Sequence, residues 1–305
     1  MQNPDLTASQ KIKAAFYLVF TLLAFSSIEI ITNPVRHDLP PLLMNFWRFA
    51  VGVIVLLPAM LWSNYRQIRE MPALELLRLG LLGCMNIIIA MGAFAFCIKY
   101  SKASTAAIII SANPLATNFF AWLLLREAMP PRRILALALG MLGIIMLTTR
   151  ADNSVDTPFG LAAGLFAMAG FGLYTVLSKK AIQRHGSLVV LVMSSLPALV
   201  AYLPILYFFD AGFWPPKHAW PNILGAGVIG TGLGYLTFMK ALEFFSAGRT
   251  SYLFFFKPPV AMFFAWLLLG EQIAPSAILG TLLIMAGILS EIWRGSSPAP
   301  EPEAQ

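Results

Sequence analysis

The chain has 305 residues, of which 58% are apolar and only 11% charged, with a formal net charge of +7. Soluble domains carry about 25% charged residues, so a mean hydropathy of +0.75 over this length excludes a single water-soluble core and requires lipid as solvent. The positive charge is not gathered into a basic patch, which argues against a nucleic-acid partner. The polar stretch 1–12 reads as a cytoplasmic N-terminus with no signal peptide. A membrane-crossing helix needs about 20 apolar residues. Ten such stretches follow in order: Ala14–Thr32, Leu42–Trp62, Leu74–Ile98, Ala103–Leu125, Ile134–Thr149, Phe159–Ser178, Leu188–Phe209, Ile223–Phe245, Thr250–Leu269 and Ala277–Trp293. Residues 295–305 are rich in Pro, Ala and Glu and read as a disordered cytoplasmic tail. No sustained period-2 alternation supports a β-barrel.

Loop charges orient the spans. With the N-terminus in the cytoplasm, twelve Lys and Arg residues fall on the inner side, against Arg36, Lys99, Lys102, Arg150 and Lys217 on the outer. The positive-inside rule then places both termini inside a bacterial cytoplasmic (inner) membrane.

The chain also repeats itself at an offset of 144 residues. Phe119–Glu127 (FFAWLLLRE) matches Phe263–Glu271 (FFAWLLLGE) at eight of nine positions, and Gly83, Phe94, Pro114, Pro131 and Gly143 meet Gly227, Phe238, Pro258, Pro275 and Gly287. The units are residues 13–150 and 151–294. Five spans end on the side opposite to where they began, so the second copy must be inverted. The cations Arg126, Arg132 and Arg133 become Gly270, Ser276 and Ala277, as a loop on the other side should. The expected fold is therefore an all-α integral membrane protein of ten transmembrane helices in two inverted five-helix repeats. Secondary transporters are commonly built this way, with a site near the midplane between the repeats.

Ionisable groups inside spans are costly unless paired or hydrated. The deep ones are Glu29, Arg48, Lys240 and Lys257. Ser26, Glu29 and Asn33 share one helix face and should line a cavity. Glu29 could bind a substrate amine, act as a protonatable coupling group, or form a structural salt bridge with Arg48 or Lys257. Lys257 precedes Pro258-Pro259, which should deprive the Phe254 and Phe255 carbonyls of partners. Asn113-Pro114 occupies the matching place in the first copy, and two related helix breaks point to a binding site. Lys257 could hold a carboxylate or phosphate, or neutralise Glu29. Ser104, Ser111 and Asn118 form a second stripe, which interhelical hydrogen bonding would equally explain. Asn86 and Tyr235, among glycines, and Tyr174 are further candidates for polar groups in a cavity. Arg48 would pair with a carboxylate or reach outward to the interface. Glu127 and Glu271 each precede a helix whose N-terminal dipole favours an acid. Cys84 and Cys97 lie in apolar stretches and read as packing residues. No metal-ligand, nucleophile or phosphate-loop motif appears, so neither an enzyme nor a cofactor is expected.

The two FFAWLLL-x-E helix ends, each followed by a Pro-containing turn and a Gly-bearing helix, resemble the drug/metabolite transporter superfamily, EamA type, over about Ala14 to Trp293. Lys240-Ala241-Leu242 followed by Ser246-Ala247 is similar to the eighth helix of that family. The resemblance implies a ten-helix carrier of small metabolites, often outward, with a cavity lined mainly by helices 1, 3, 4, 6, 8 and 9. Glu29 and Lys257 depart from the general pattern. The expected activity is transport of an amino acid, another zwitterion or an organic anion by alternating access, with protons as a candidate coupling ion through Glu29. The alternatives are export of cationic or aromatic drug-like compounds, or a membrane enzyme or lipid-handling protein.

Overall fold

A computed structural model describes residues 7–35, 38–101, 109–148, 157–209, 212–269 and 275–292. Among them the regular structure is helical. The helices are α1 (Ala8–Thr32), α2 (Pro41–Arg69), α3 (Ala73–Tyr100), α4 (Ile109–Leu125), α5 (Pro131–Thr148), α6 (Pro158–His185), α7 (Ser187–Phe208), α8 (Lys217–Phe244), α9 (Leu253–Leu269, preceded by a short turn of helix, Ala247–Ser251) and α10 (Pro275–Ile292). Six of these, α1, α2, α3, α6, α7 and α8, contain stretches long and apolar enough to cross a membrane, and Ile109–Leu125 and Ile278–Gly287 are shorter apolar helices. Glu271, Ser104 and the 295–305 tail lie outside the described residues, as do the side chains of Glu29 and Asn33.

Local chemistry sets the helix ends. Pro lacks an N–H that the first turn would leave unpaired anyway, and it stands at the start of α2, α5, α6 and α10. Thr157 caps α6 by accepting the Gly160 N–H at 3.0 Å, while its own hydroxyl and N–H both donate to the Tyr100 carbonyl and tie α6 to the end of α3. Gly186, at φ +82°, turns α6 directly into α7. Hydropathy marks apolar stretches but not full helix lengths. Helix α6 runs on past Ser178 through Lys179 and Lys180 to His185, because hydrogen bonding continues where the apolar stretch stops.

The two sequence halves do not pack as separate bundles. Helix α1 lies against α8 and α9, α2 against α7 and α8, α3 against α6 and α7, α4 against α6, and α5 against α10. Most large interfaces therefore join one half to the other. Glycine allows the closest approaches. A Cβ on Gly83 of α3 would lie 1.7 Å from the Ser194 carbonyl oxygen of α7, and one on Gly227 of α8 would lie 2.6 Å from Val51 of α2.

Helices α3 and α8 each contain a π-helical stretch, Met85–Ala90 and Ala226–Leu233. The two overlap under the 144-residue shift. Such insertions occur often at functional sites.

Candidate functional site

A cavity of about 240 Å³ opens between α1, α2, α3, α4, α6, α8 and α9. Its walls are mainly apolar: Phe25, Ile28, Val35, Leu39, Met44, Met91, Phe94, Ala95, Ile98, Ile110, Phe171 and Phe254. Thr32, Asn45, Arg48, Tyr235 and Lys257 are the polar members. Most of the wall comes from the end of α1, the start of α2 and the second half of α3, so the cavity sits toward one end of the bundle.

An aromatic cluster underlies it. Phe25, Phe49, Phe171, Tyr235, Phe238 and Phe254 pack mostly edge-on or tilted, with Phe171 stacked on Phe238, and ring centroids are 5.2 Å apart for Phe25–Tyr235 and 5.4 Å for Phe171–Phe254. Such pairs add about 0.5–1.5 kcal/mol beyond the area they bury. The cluster joins α1, α2, α6, α8 and α9 in one layer.

The polar wall is organised around α2. Arg48 donates from Nη2 to Asn45 Oδ1 at 3.0 Å. Asn45 in turn donates from Nδ2 to the Ile87 carbonyl at 3.2 Å and to the Tyr202 hydroxyl at 3.3 Å. Ile87 belongs to the π stretch of α3, where backbone pairing departs from the α ladder and a carbonyl can accept from a neighbouring helix. The Arg48 guanidinium lies 5.1 Å from the Phe49 ring centroid, and its buried Nε has no hydrogen-bond partner among the described residues.

The structure brings Lys257 and Tyr235 to the cavity wall and places the other expected residues around it. Ser26 is buried and donates to the Lys257 carbonyl at 3.4 Å. Asn86 is buried beside the Tyr235 hydroxyl, and its Oδ1 lacks a hydrogen bond of ordinary geometry. Tyr174 is buried in the core near Ser178 and Ser194, away from the cavity wall. Ser111 is buried in α4. Asn113 is fully engaged, donating to the Met168 carbonyl at 3.2 Å and accepting from Thr117 Oγ1 at 2.9 Å. It clamps α4 to α6 and has no part in the cavity wall. Glu29 and Asn33 belong to the backbone that passes the cavity between Ile28 and Val35.

The structure details two of these positions. The interruptions of α4 and α9 fall at Ala112 and Tyr252, not at the prolines themselves, and α9 continues through Pro258-Pro259. The chain turns upstream, where Leu115 N–H bonds to Ala112 O and Phe255 N–H to Tyr252 O in tighter three-residue steps. Arg48 neither pairs with a described carboxylate nor reaches outward: it lines the cavity. Sequence spacing put Arg48 near one face of the membrane, and nothing in that spacing revealed the Asn45 bracket, which depends on the fold of α3.

At the opposite end of the bundle polar contacts tie helix ends together, some of them across the sequence halves. Glu127 follows α4 and accepts the Ala247 N–H at 3.0 Å and the Gly248 N–H at 3.4 Å, with Arg133 Nη1 3.6 Å away. The acid thus serves the short helix before α9, not the α5 N-terminus expected from sequence. Asn118 Nδ2 reaches Gly248 O at 3.4 Å and Ser251 Oγ at 3.5 Å, which is the interhelical bonding weighed for this stripe. Lys179 donates to the last carbonyls of α8, Leu242 O and Phe245 O, the latter at 2.9 Å. Glu243 accepts from the Ser187 hydroxyl and N–H and from Lys240 at 3.3 Å. Arg126, at φ +54°, makes the left-handed turn that aims Glu127 across the gap. We refer to this as the latch end.

Comparisons with known proteins agree with this architecture. The model of the EamA-like transporter family matches the chain twice, over residues 12–149 and 158–290. An uncharacterized transporter of Clostridium kluyveri is 26% identical over 285 residues, covering 90% of this chain and 91% of its own. The uncharacterized transporter YoaV of Bacillus subtilis is 24% identical, covering 83% and 87%. A probable amino-acid metabolite efflux pump of Salmonella typhimurium is 23% identical over 294 residues, covering 92% and 95%. A solved crystal structure shares the fold with a TM-score of 0.79 at 17% identity, covering 92% of this chain and 96% of that one. With the family model matched over both halves and several long apolar helices, this chain is a multi-pass membrane protein of the EamA-like transporter family.

Proposed function

We propose that the protein moves a small metabolite across the bacterial cytoplasmic membrane by alternating access, using ten spans in two inverted repeats (13–150 and 151–294). The observation that carries this reading is a cavity lined from both halves at one end of the bundle, with a latch joining the halves at the other. With the termini inside, the cavity faces outward and the latch faces the cytoplasm. In this reading α1, α2, α8 and α9 move as one body against α3, α4, α6 and α7. Each body then draws helices from both repeats, with α5 and α10 paired at the periphery.

The substrate in this reading is an amino acid, another zwitterion or an organic anion, and the direction is export. The Salmonella typhimurium relative, a probable amino-acid metabolite efflux pump, supports an amino-acid metabolite. Lys257 meets the substrate carboxylate and Glu29 its amine, and protonation of Glu29 couples movement to the proton gradient. Asn33, Asn86, Ser111 and Tyr235 set the polarity of the region, Asn113 and Tyr174 hold the helices behind it, and Pro114, Pro258 and Pro259 shape the helices that carry it.

The test is solute flux in proteoliposomes containing the full chain, with and without a pH gradient, for the wild type, Glu29→Gln and Lys257→Met. Loss of flux in Lys257→Met and loss of the pH dependence in Glu29→Gln are expected. Unchanged flux and unchanged pH dependence in both variants would exclude these roles. Export of cationic dyes that depends on Glu29 but not on Lys257 would favour the drug-exporter alternative.

A further inference from the structure

We infer that Arg48, bracketed by Asn45, is the anion anchor of the cavity and that the preferred substrate is an organic monoanion with an apolar or aromatic body. This rests on the transport reading above and narrows it.

A guanidinium within a membrane span is stable only when water or a counter-charge compensates it. Arg48 donates to a neutral amide oxygen, packs on the Phe49 ring and leaves its buried Nε unsatisfied, with no described carboxylate bonded to it. It also lines the cavity. A buried donor without a partner costs about 1–3 kcal/mol, more when charged, and an anion entering the cavity removes that cost. Asn45 accepts the Nη2 hydrogen with its only carbonyl oxygen and spends its NH₂ group on Ile87 O and Tyr202. The guanidinium plane is thereby fixed before a ligand arrives. Arg offers a planar fork that matches a carboxylate in two hydrogen bonds, which a lysine cannot reproduce.

The rest of the wall sets the body of the ligand. Phe25, Phe94, Phe171 and Phe254, with Met44 and Met91, present apolar surface and few donors. A sugar or a polyphosphate would leave many polar groups unpaired there, whereas an aryl or branched alkyl chain would not.

The experiment uses purified full-length protein and three aromatic probes of different charge: 3-phenylpropanoate, L-phenylalanine and the larger cation ethidium. Thermal shift and proteoliposome flux are read for the wild type, Arg48→Gln, Arg48→Lys and Asn45→Ala. The expected result is that 3-phenylpropanoate stabilises the wild type most and that Arg48→Gln weakens its binding at least about tenfold, a loss of about 1.4 kcal/mol. Arg48→Lys should keep part of the response, and Asn45→Ala should weaken anion binding while leaving Arg48 present. If Arg48→Gln fails to fold, Arg48→Lys and Asn45→Ala carry the test. Preference for L-phenylalanine or ethidium, no response to 3-phenylpropanoate in the wild type, or an anion response unchanged in the variants would overturn the inference. Flux of L-phenylalanine that persists in Arg48→Gln would overturn it while leaving the transport reading intact. Absence of flux for any solute would instead count against the transport reading itself.

Discussion

The two ends of this helix bundle hold together by different means. At the cavity end the contacts are apolar surfaces around a void, and the polar groups are few: Arg48, Asn45, Tyr235, Thr32 and Lys257. At the latch end Glu127, Asn118, Lys179 and Glu243 each use directed hydrogen bonds to backbone or hydroxyl groups, those of Glu127 and Asn118 across the sequence halves. Apolar contact is tolerant of small displacement, whereas hydrogen bonds weaken steeply with distance and angle. One end can thus admit varied shapes, and the other opens only by breaking a defined set of bonds.

The contrast can be broken most strongly at Glu127. Glu127→Ala removes the acceptor for two N–H groups and a partner of Arg133. Hydrogen bonds to charged groups contribute about 1.5–3 kcal/mol each. We expect a clear fall in Tm in detergent, together with greater labelling of a cysteine introduced at the latch end. Unchanged labelling would show that the latch does not hold that end closed.

Gly248→Ala should act at the same place more mildly. Its Cβ would lie 2.3 Å from Asn118 Oδ1 and 3.2 Å from Glu127 Oε2, so the Asn118 and Glu127 contacts must shift. Overpacking of this kind costs about 1–3 kcal/mol, read again as Tm. At the cavity end Met44→Trp should behave in the opposite way. The larger ring enters open space, so Tm should hold while flux falls about tenfold, equivalent to about 1.4 kcal/mol. A loss of Tm with intact flux would show that Met44 packs the fold and leaves the path clear. The smallest effect is a gain. Arg126 adopts a left-handed conformation that costs a non-glycine residue about 1–2 kcal/mol, and position 270, its counterpart in the repeat, is glycine. Arg126→Gly should raise Tm slightly, and a fall would mean that the arginine side chain contributes more than its backbone strain costs.

The contrast also explains which features could be read from sequence. Spans, helix starts at Pro131, Pro158 and Pro275, and the tight approach at Gly83 and Gly227 rest on local composition, and the 144-residue repeat is written directly in residue identities. Lys257 and Tyr235 stood out because a charge or hydroxyl in an apolar run is conspicuous. Asn113 stood out for the same reason, yet it is spent on Met168 and Thr117, since a polar residue in a bundle serves a neighbouring helix as readily as a solute. Arg48 was visible as a charge but not as part of a site. Its setting depends on an Ile87 carbonyl offered by the π stretch of α3, and no single-residue signal marks that stretch. The target of Glu127 was hidden for a related reason: the helix it caps is 120 residues away in sequence.

The π stretches carry a historical consequence. Gly83 lies just before the first stretch and its counterpart Gly227 at the start of the second, Phe94 and Phe238 follow at the same spacing, and the two widenings therefore fall in the same part of the repeat. On the reading that the chain arose by duplication, that widening was already present in the ancestral five-helix unit. On that same reading the irregular turn now beside Asn45 and Arg48 dates from the shared unit, before the two copies diverged.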